Sequence, residues 1–160
     1  VAPPKLTVTT RYIPPSVRKF YFVPTIATQA SPTRAELNAG TDLSDEIAEV
    51  SGFTVTSASV EVPDLSSRFT AKIPGRITAD DSSIRCYASS TSGDVRSVLP
   101  RDTAGFIVAL WEGDVPTQKM DVFPVKVSAC VIQTGIEDPA SIEVQFTVTK
   151  VPSNNVTIPA

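Results

Sequence analysis

The 160-residue sequence contains no histidine. Ser–His–Asp and Cys–His nucleophiles are therefore excluded, as are metal sites built on imidazole. Glycine is scarce, at seven residues against fourteen prolines. Neither a phosphate-binding loop nor a dinucleotide fingerprint occurs. There is no polybasic block, which argues against tight binding of nucleic acid through its phosphates. No apolar run approaches membrane-spanning length, so no membrane insertion is expected. The opening VAPPKLTVTT lacks the charged-then-apolar order of a secretory signal. The expectation is a soluble chain, or one inside a soluble assembly. Cysteine is limited to Cys86 and Cys130, each in a strand-like run. Both read as buried thiols behaving as small hydrophobes, and nothing local supports a disulfide.

What is present points to β structure. Charged residues make up 19% and hydrophobic residues 41%, with a formal net charge of −3. That balance is globular rather than disordered, and the length suits one domain with a real core. Abundant Thr, Ser and Val beside the prolines favour an all-β chain.

The stretch Gly52–Gly75 organises the reading. Its first half is strand-like, but Phe53 and Val55 are in one phase and Ala58, Val60 and Val62 in the other. A bulge or sharp twist near Ser57 would reconcile them. After Pro63 the apolar residues are only spaced anchors: Leu65, Phe69, Ile73 and Ile77. A connection over residues 63–83 without structure of its own is long for a small domain. It reads as an arm that meets another chain.

The remaining elements follow in order. Val1–Thr10 reads as an extended arm, within a wider arm over residues 1–12, ending in a short strand at LTVTT. Arg18–Val23 is a strand with aromatics on both faces. Ser31–Gly40 is a short helix, with Thr33 and Glu36 spaced as a capping box and Gly40 at its end. Glu46–Val50 and Phe53–Val62 read as strand–turn–strand. Ser83–Ala88 is a strand, and Asp94–Leu99 is a short helix capped by Asp94 and stopped by Pro100. Gly105–Trp111, apolar on both faces, is the best core strand. Asp121–Gln133 should turn Phe123, Val125, Val127, Ala129 and Val131 to one face, and Lys126, Ser128 and Cys130 to the other. Ser141–Val151 alternates cleanly, with Ile142, Val144, Phe146 and Val148 inward. These last two runs make an antiparallel hairpin. The ending, residues 152–160, reads as another extended arm. With two brief helices and no βαβ alternation, the fold class is mainly β, a β-sandwich or open barrel.

Candidate chemistry is thin. Asp80, Asp81, Ser82 and Ser83 could form a cation corner, but a solvated turn explains them equally. Asp42, Asp45, Glu46 and Glu49 could pair carboxylates, but an acidic face does as well. Asn155–Thr157 fits a glycosylation acceptor, which carries weight only in a secreted chain. Trp111 in a strand reads as core before ligand platform. Neither a cofactor nor a metal is implied.

Seven runs, taken together, carry a resemblance. They are PTRAELNAGTDL (Pro32–Leu43), EIAEVSGFTVTS (Glu46–Ser57), PDLSSRFTAKIPG (Pro63–Gly75), ADDSS (Ala79–Ser83), LPRDTAGFIV (Leu99–Val108), MDVFPVKV (Met120–Val127) and NVTIPA (Asn155–Ala160). From about Tyr12 onward the chain resembles the major tail tube proteins of long-tailed bacteriophages, especially those of actinobacterial hosts. Cys86 and Cys130 belong to none of these runs.

The resemblance implies a structural, non-catalytic virion protein located in the tail. Six-membered rings would stack into a hollow tube that conducts the genome. The partners would be other copies of the chain, with tape measure, tail terminator and baseplate components. DNA would pass without specific binding. In that setting Leu65, Phe69 and Ile73 would dock into a neighbouring ring. The polar face of the hairpin, Lys126 and Ser128 with Glu143, Gln145, Thr147 and Thr149, would line the channel, with Glu143 offsetting Lys126 if register allows. Two other readings fit the β content: the inner tube of a contractile injection device, and a monomeric immunoglobulin-like binding module.

Overall fold

In the computed structural model, which describes residues 2–160, ten strands and two short helices alternate with tight turns. The order is β1 (Lys19–Val23), α1 (Arg34–Asn38), β2 (Thr41–Asp42), β3 (Ile47–Ser51), β4 (Val55–Val62) and β5 (Ala71–Ala79). Then come β6 (Ser82–Tyr87), α2 (Val95–Val98), β7 (Ala104–Leu110), β8 (Lys119–Gln133), β9 (Ser141–Val148) and β10 (Ser153–Thr157). Val1, the first residue of the expected arm, lies outside the described residues.

All strand pairs described are antiparallel. The main sheet runs β2-β1-β7-β8-β9-β6-β3, with β10 also on β8. It folds over on itself because β8 serves two halves. Its first part pairs β7 through Ala104↔Lys126 to Leu110↔Met120, and β10 lies along its start. Its second part pairs β9 from Val125↔Val148 to Gln133↔Ser141. The two halves enclose a core of Phe20, Phe22, Ile84, Ile107, Phe123, Val125, Ile142, Val144 and Phe146. Helix α2 contributes Val95, and Leu99 follows it into the same core.

The halves differ on their outer faces. Behind β1, β7 and the start of β8, a second apolar cluster gathers Val108, Leu110, Met120 and Val122 under Leu37 of α1, Ile26, Val156 and Ile158. Strand β7 therefore buries both faces, as its unbroken apolar run requires. Behind β8, β9, β6 and β3 no layer covers the sheet, and β9 alternates accordingly.

Caps and ion pairs hold the covering layer. Thr33 and Glu36 form the capping box of α1, and Glu36 also accepts from the Ala27 amide. Arg34 donates twice to Asp114, at 2.9 Å on its second nitrogen, and Tyr21 Oη donates to the same carboxylate. Burial and that carboxylate push the Tyr21 phenol up to about 12, while the Arg34 guanidinium holds Asp114 below the usual carboxylate range. Asp94 caps α2 through the Arg96 amide and also accepts from the Ser89 amide.

Several expectations are revised. The LTVTT strand does not form: residues 2–13 carry no helix or strand, and Leu6, Val8 and Ile13 are exposed. Residues 63–83 are not a structureless connection. Ala71–Ala79 is a strand that folds back on β4, and only Pro63–Thr70 is left as a tip. The expected strand–turn–strand at residues 46–62 separates, because β3 pairs β6 rather than β4. The ending is not a free arm. β10 hydrogen-bonds to β8 and buries Val156 and Ile158, because an apolar face behind β8 needed covering.

One further revision concerns β8. The register shifts between Val127↔Phe146 and Ala129↔Gln145, so Ser128 is an extra residue. A single inserted residue reverses the phase of everything after it. Cys130 therefore turns toward the core and Val131 is exposed, the opposite of strict alternation. Cys86 and Cys130 are both free thiols, and burial pushes Cys86 up to about 11.

Phe53 anchors the root of β4–β5. It sits at φ 56, beside Gly52 at φ 80, and the turn drives its ring into the core. The ring packs edge-on against Phe123 at 5.3 Å and tilted against Phe146 at 5.9 Å. Phe53→Ala should lower the unfolding free energy by about 3–5 kcal/mol, read by urea denaturation, whereas Phe69→Ala, at an exposed position, should stay within about 0.5 kcal/mol. Deleting Asn155–Ala160 uncovers two buried side chains and should cost roughly 3–6 kcal/mol. In the isolated subunit a protease should trim the N-terminal segment while leaving this C-terminal strand intact.

Candidate assembly and channel surfaces

Two surfaces stand out. The first is the β4–β5 ribbon. It makes a sheet of its own, and nearly all its residues are exposed. Its root is fixed by short-range bonds. The Phe53 amide donates to Ser82 Oγ at 2.9 Å, Thr54 Oγ1 donates to Asp80 at 2.6 Å, and the Asp80 amide donates to the Thr54 carbonyl. A Cβ at Gly52 would collide with the Asp81 carbonyl, so this corner needs glycine. These contacts give Asp80 and Ser82 structural partners, and among the described residues no group of acidic or thiol side chains is arranged to hold a metal.

The ribbon's register explains the two phases read in its sequence. Ser57 pairs Ile77, but Ser59 pairs Pro74, so the bulge near Ser57 exists with its extra residue on β5. Residues opposite one another share a face. Near the root, Val55 and Ala79 share a face with Ile77, beside a groove lined by Val148–Pro152. Near the tip, Val60 with Ile73 and Val62 with Ala71 lie on the opposite face, because the bulge reverses β5 between Ile77 and Ile73. Leu65 and Phe69 occupy the tip, and Phe69 is 78% exposed. The structure thus keeps Leu65, Phe69 and Ile73 together as an exposed apolar group.

The second surface is the uncovered face of β3, β6, β9 and β8. Lys126, Ser128, Gln145, Thr147 and Thr149 are exposed on it, with Glu143 half-buried between neighbours. Lys126 lies opposite Thr147, and Ser128 Oγ donates to the Gln145 carbonyl at 3.1 Å. Thr149, past the end of β9, lines the same hollow as Lys126 and Thr147. The pairing expected between Glu143 and Lys126 does not occur. Glu143 lies opposite Val131 and accepts from Gln133 at 2.7 Å, while Lys126 pairs Asp102 at 3.3 Å.

Sequence reasoning missed the contribution of β6 and β3 to this face. Arg85 lies between Glu49 and Glu143, at 3.5 and 4.0 Å. Its Nε is buried without a hydrogen-bond partner. The alternation of SIRCY could have placed Arg85 outward; only the strand order reveals its neighbours. Counting Glu49, Asp81, Asp102 and Glu143 against Arg85, Arg101 and Lys126 leaves one net negative charge around the face. The proposed paired-carboxylate group disperses as well, since Asp42 pairs Lys19 and Glu49 pairs Arg85.

The open edges matter as much as the face. β3 ends the strand order. The β7 side of β8 is bonded only as far as Val127, so Ser128–Gln133 has β9 alone beside it among the described residues. Four strands of alternating direction therefore carry an exposed edge on each side.

Comparison with known proteins agrees with this architecture. No curated protein sequence matches the chain. Among solved structures, it is similar to the sheath/tube terminator of an extracellular contractile injection system (PVC, extended state), with a TM-score of 0.63 at 11% identity, covering 91% of this chain and 99% of that one. It is similar to a chain of the sheath–tube complex of the same system, with a TM-score of 0.61 at 11% identity over 89% and 92%. It is also similar to a chain in the tail of an empty gene transfer agent particle, with a TM-score of 0.53 at 11% identity over 86% and 93%. At such identities the likeness is one of fold. Residues 8–160 match the family described as phage tail tube protein, and the chain belongs to that family, whose members are structural components of the virion tail.

Proposed function

We propose that six copies of this chain close into a ring whose inner wall is the four-stranded unit β3-β6-β9-β8, and that such rings stack into the tube. The single observation that carries this is the pair of open edges. Successive strands of the unit alternate in direction, so β3 and β8 run oppositely. Placing β3 of one copy beside β8 of the next continues an antiparallel ladder and leaves no edge exposed.

The dimensions support it. Six such units give about 24 strands, well beyond the 16–18 at which a barrel leaves an aqueous pore. At about 4.8 Å between strands and a tilt near 40°, the barrel would be roughly 45–50 Å across between backbones. That width admits a DNA duplex.

The wall's chemistry supports passage without capture. Arg85 is paired with Glu49 and Glu143, and Lys126 with Asp102, so these wall cations are compensated rather than offered to phosphates. Lys126, Ser128, Glu143, Gln145, Thr147 and Thr149 would then face the lumen. The ribbon would link rings through Leu65, Phe69 and Ile73, with the N-terminal segment as an additional tie. Tape measure, terminator and baseplate proteins would be its other partners in the tail. The likeness to injection-device chains favours the shared ring logic and leaves the immunoglobulin-like module without an observation of its own.

Two experiments test this. Val62 pairs directly with Ala71, so Pro63–Thr70 can be replaced by Asn-Gly without disturbing the ribbon's register. The shortened subunit should fold with an unchanged melting curve yet form no tubes in negative stain; normal tubes would refute the ribbon's role. For the wall, Glu143→Lys, and separately Thr147→Lys at a fully wet position, should give tubes of normal appearance. Particles built from them should eject DNA slowly at low salt and recover at high salt, because screening over about 8–10 Å cancels wall charge. Unaltered ejection at low salt in both variants would place these residues elsewhere.

A further inference from the structure

The ribbon needs an acceptor, and the strand order points to one. Its root adjoins the end of the wall where Ser82 pairs Phe146 and where Val148–Pro152 follow β9. The other end of the same strands is marked by Tyr87↔Ser141 and Gln133↔Ser141, closed by the turn at residues 134–140. The ribbon and the β8–β9 turn therefore occupy opposite poles of one four-stranded unit.

That second pole is apolar where a solvated turn should not be. Ile132 is 46% exposed, Ile136 is fully exposed, and every residue from Val131 to Ala140 is exposed. Ile132, paired with Ile142, lies on the core side of the sheet, at the open end of the sandwich. Glu137 and Asp138 flank Ile136.

The charges of the two poles are complementary. The ribbon from Val55 to Ala79 carries Arg68, Lys72 and Arg76 against Glu61 and Asp64, a net of one positive charge, and Lys72 is already paired with Glu61. The β8–β9 turn carries two negative charges and no positive one. Two unlike, complementary patches on opposite poles cannot satisfy one another within a subunit, but they can between successive subunits. Such a heterologous contact does not close; it propagates along an axis.

We propose that the tip of the ribbon, through Leu65, Phe69 and Ile73, docks on Ile132 and Ile136 at the β8–β9 turn of a copy in the next ring, with Arg68 and Arg76 beside Glu137 and Asp138. This rests on the ring-stacking reading above and names the surface that receives the ribbon. It also accounts for the bulge in β5, which keeps the tip's apolar face separate from the root's.

The test uses full-length subunits. With p-benzoylphenylalanine at position 69, irradiation of assembled tubes should give adducts to the peptide 131–140 of another copy. Ile136→Asp should leave the thermal melt unchanged, since the side chain is exposed, while raising the concentration needed for tube growth about tenfold or more. Glu137→Lys should slow growth, and Arg68→Glu in the same chain should restore it. Adducts confined to other peptides, or normal growth of Ile136→Asp while the Asn-Gly ribbon variant fails, would overturn this acceptor and leave ring stacking through the ribbon intact. Normal tubes from the Asn-Gly variant itself would overturn the parent reading, and the acceptor with it.

Discussion

Strand β8 must satisfy two sheets at once, and most of this molecule follows from that demand. Along its first part it is hydrogen-bonded on both sides, by β7 and β10, and buried on both faces. Past Val127 it loses β7, keeps β9, and has one face in water. A strand cannot change environment midway without changing phase, and the extra residue Ser128 supplies the change. Without it, Val131 would be inward and Cys130 outward, as alternation alone demands.

This transition divides the labour of the fold. The half around β7 is a three-layer body, with α1 and the C-terminal strand packed behind it. Its role is stability, and the Arg34–Asp114–Tyr21 cluster and the Thr33–Glu36 box secure the covering layer. The half around β9 keeps a bare polar face and unpaired edges. Exposed edges are a hazard for a soluble monomer. In a tail tube protein the same edges are the natural place for the next copy, so the hazard and the assembly are one feature. A chain with no histidine and its acids tied to structural partners is consistent with a role carried by surfaces rather than by a reacting group.

The ribbon is the other exposed feature, and its rigidity at the root contrasts with its bare tip. Phe53 takes a left-handed backbone position that a bulky residue rarely adopts, which means its packing against Phe123 and Phe146 outweighs the local strain. A ribbon held by a core aromatic leaves the body at a set angle. Propagating contacts need such an angle, because an error in one ring is inherited by the next.

Local pattern was enough to read several elements from the sequence. The alternation of β9, the two-sided burial of β7, the Thr33–Glu36 box and the Asp94 cap all depend on neighbours within a few residues, and the chain writes these directly. Family resemblance was legible too, because its runs extend over most of the chain. Long-range competition decided the rest. Residues 63–83 look unstructured until β4 is present to pair with β5. The ending looks like a free arm until an uncovered apolar face behind β8 captures Val156 and Ile158. The partners of Lys126 and Glu143 depended on one inserted residue and on a loop, neither of which side-chain periodicity reports. Hydrogen bonds between distant strands select these outcomes, and their register exists only once the sheet has formed.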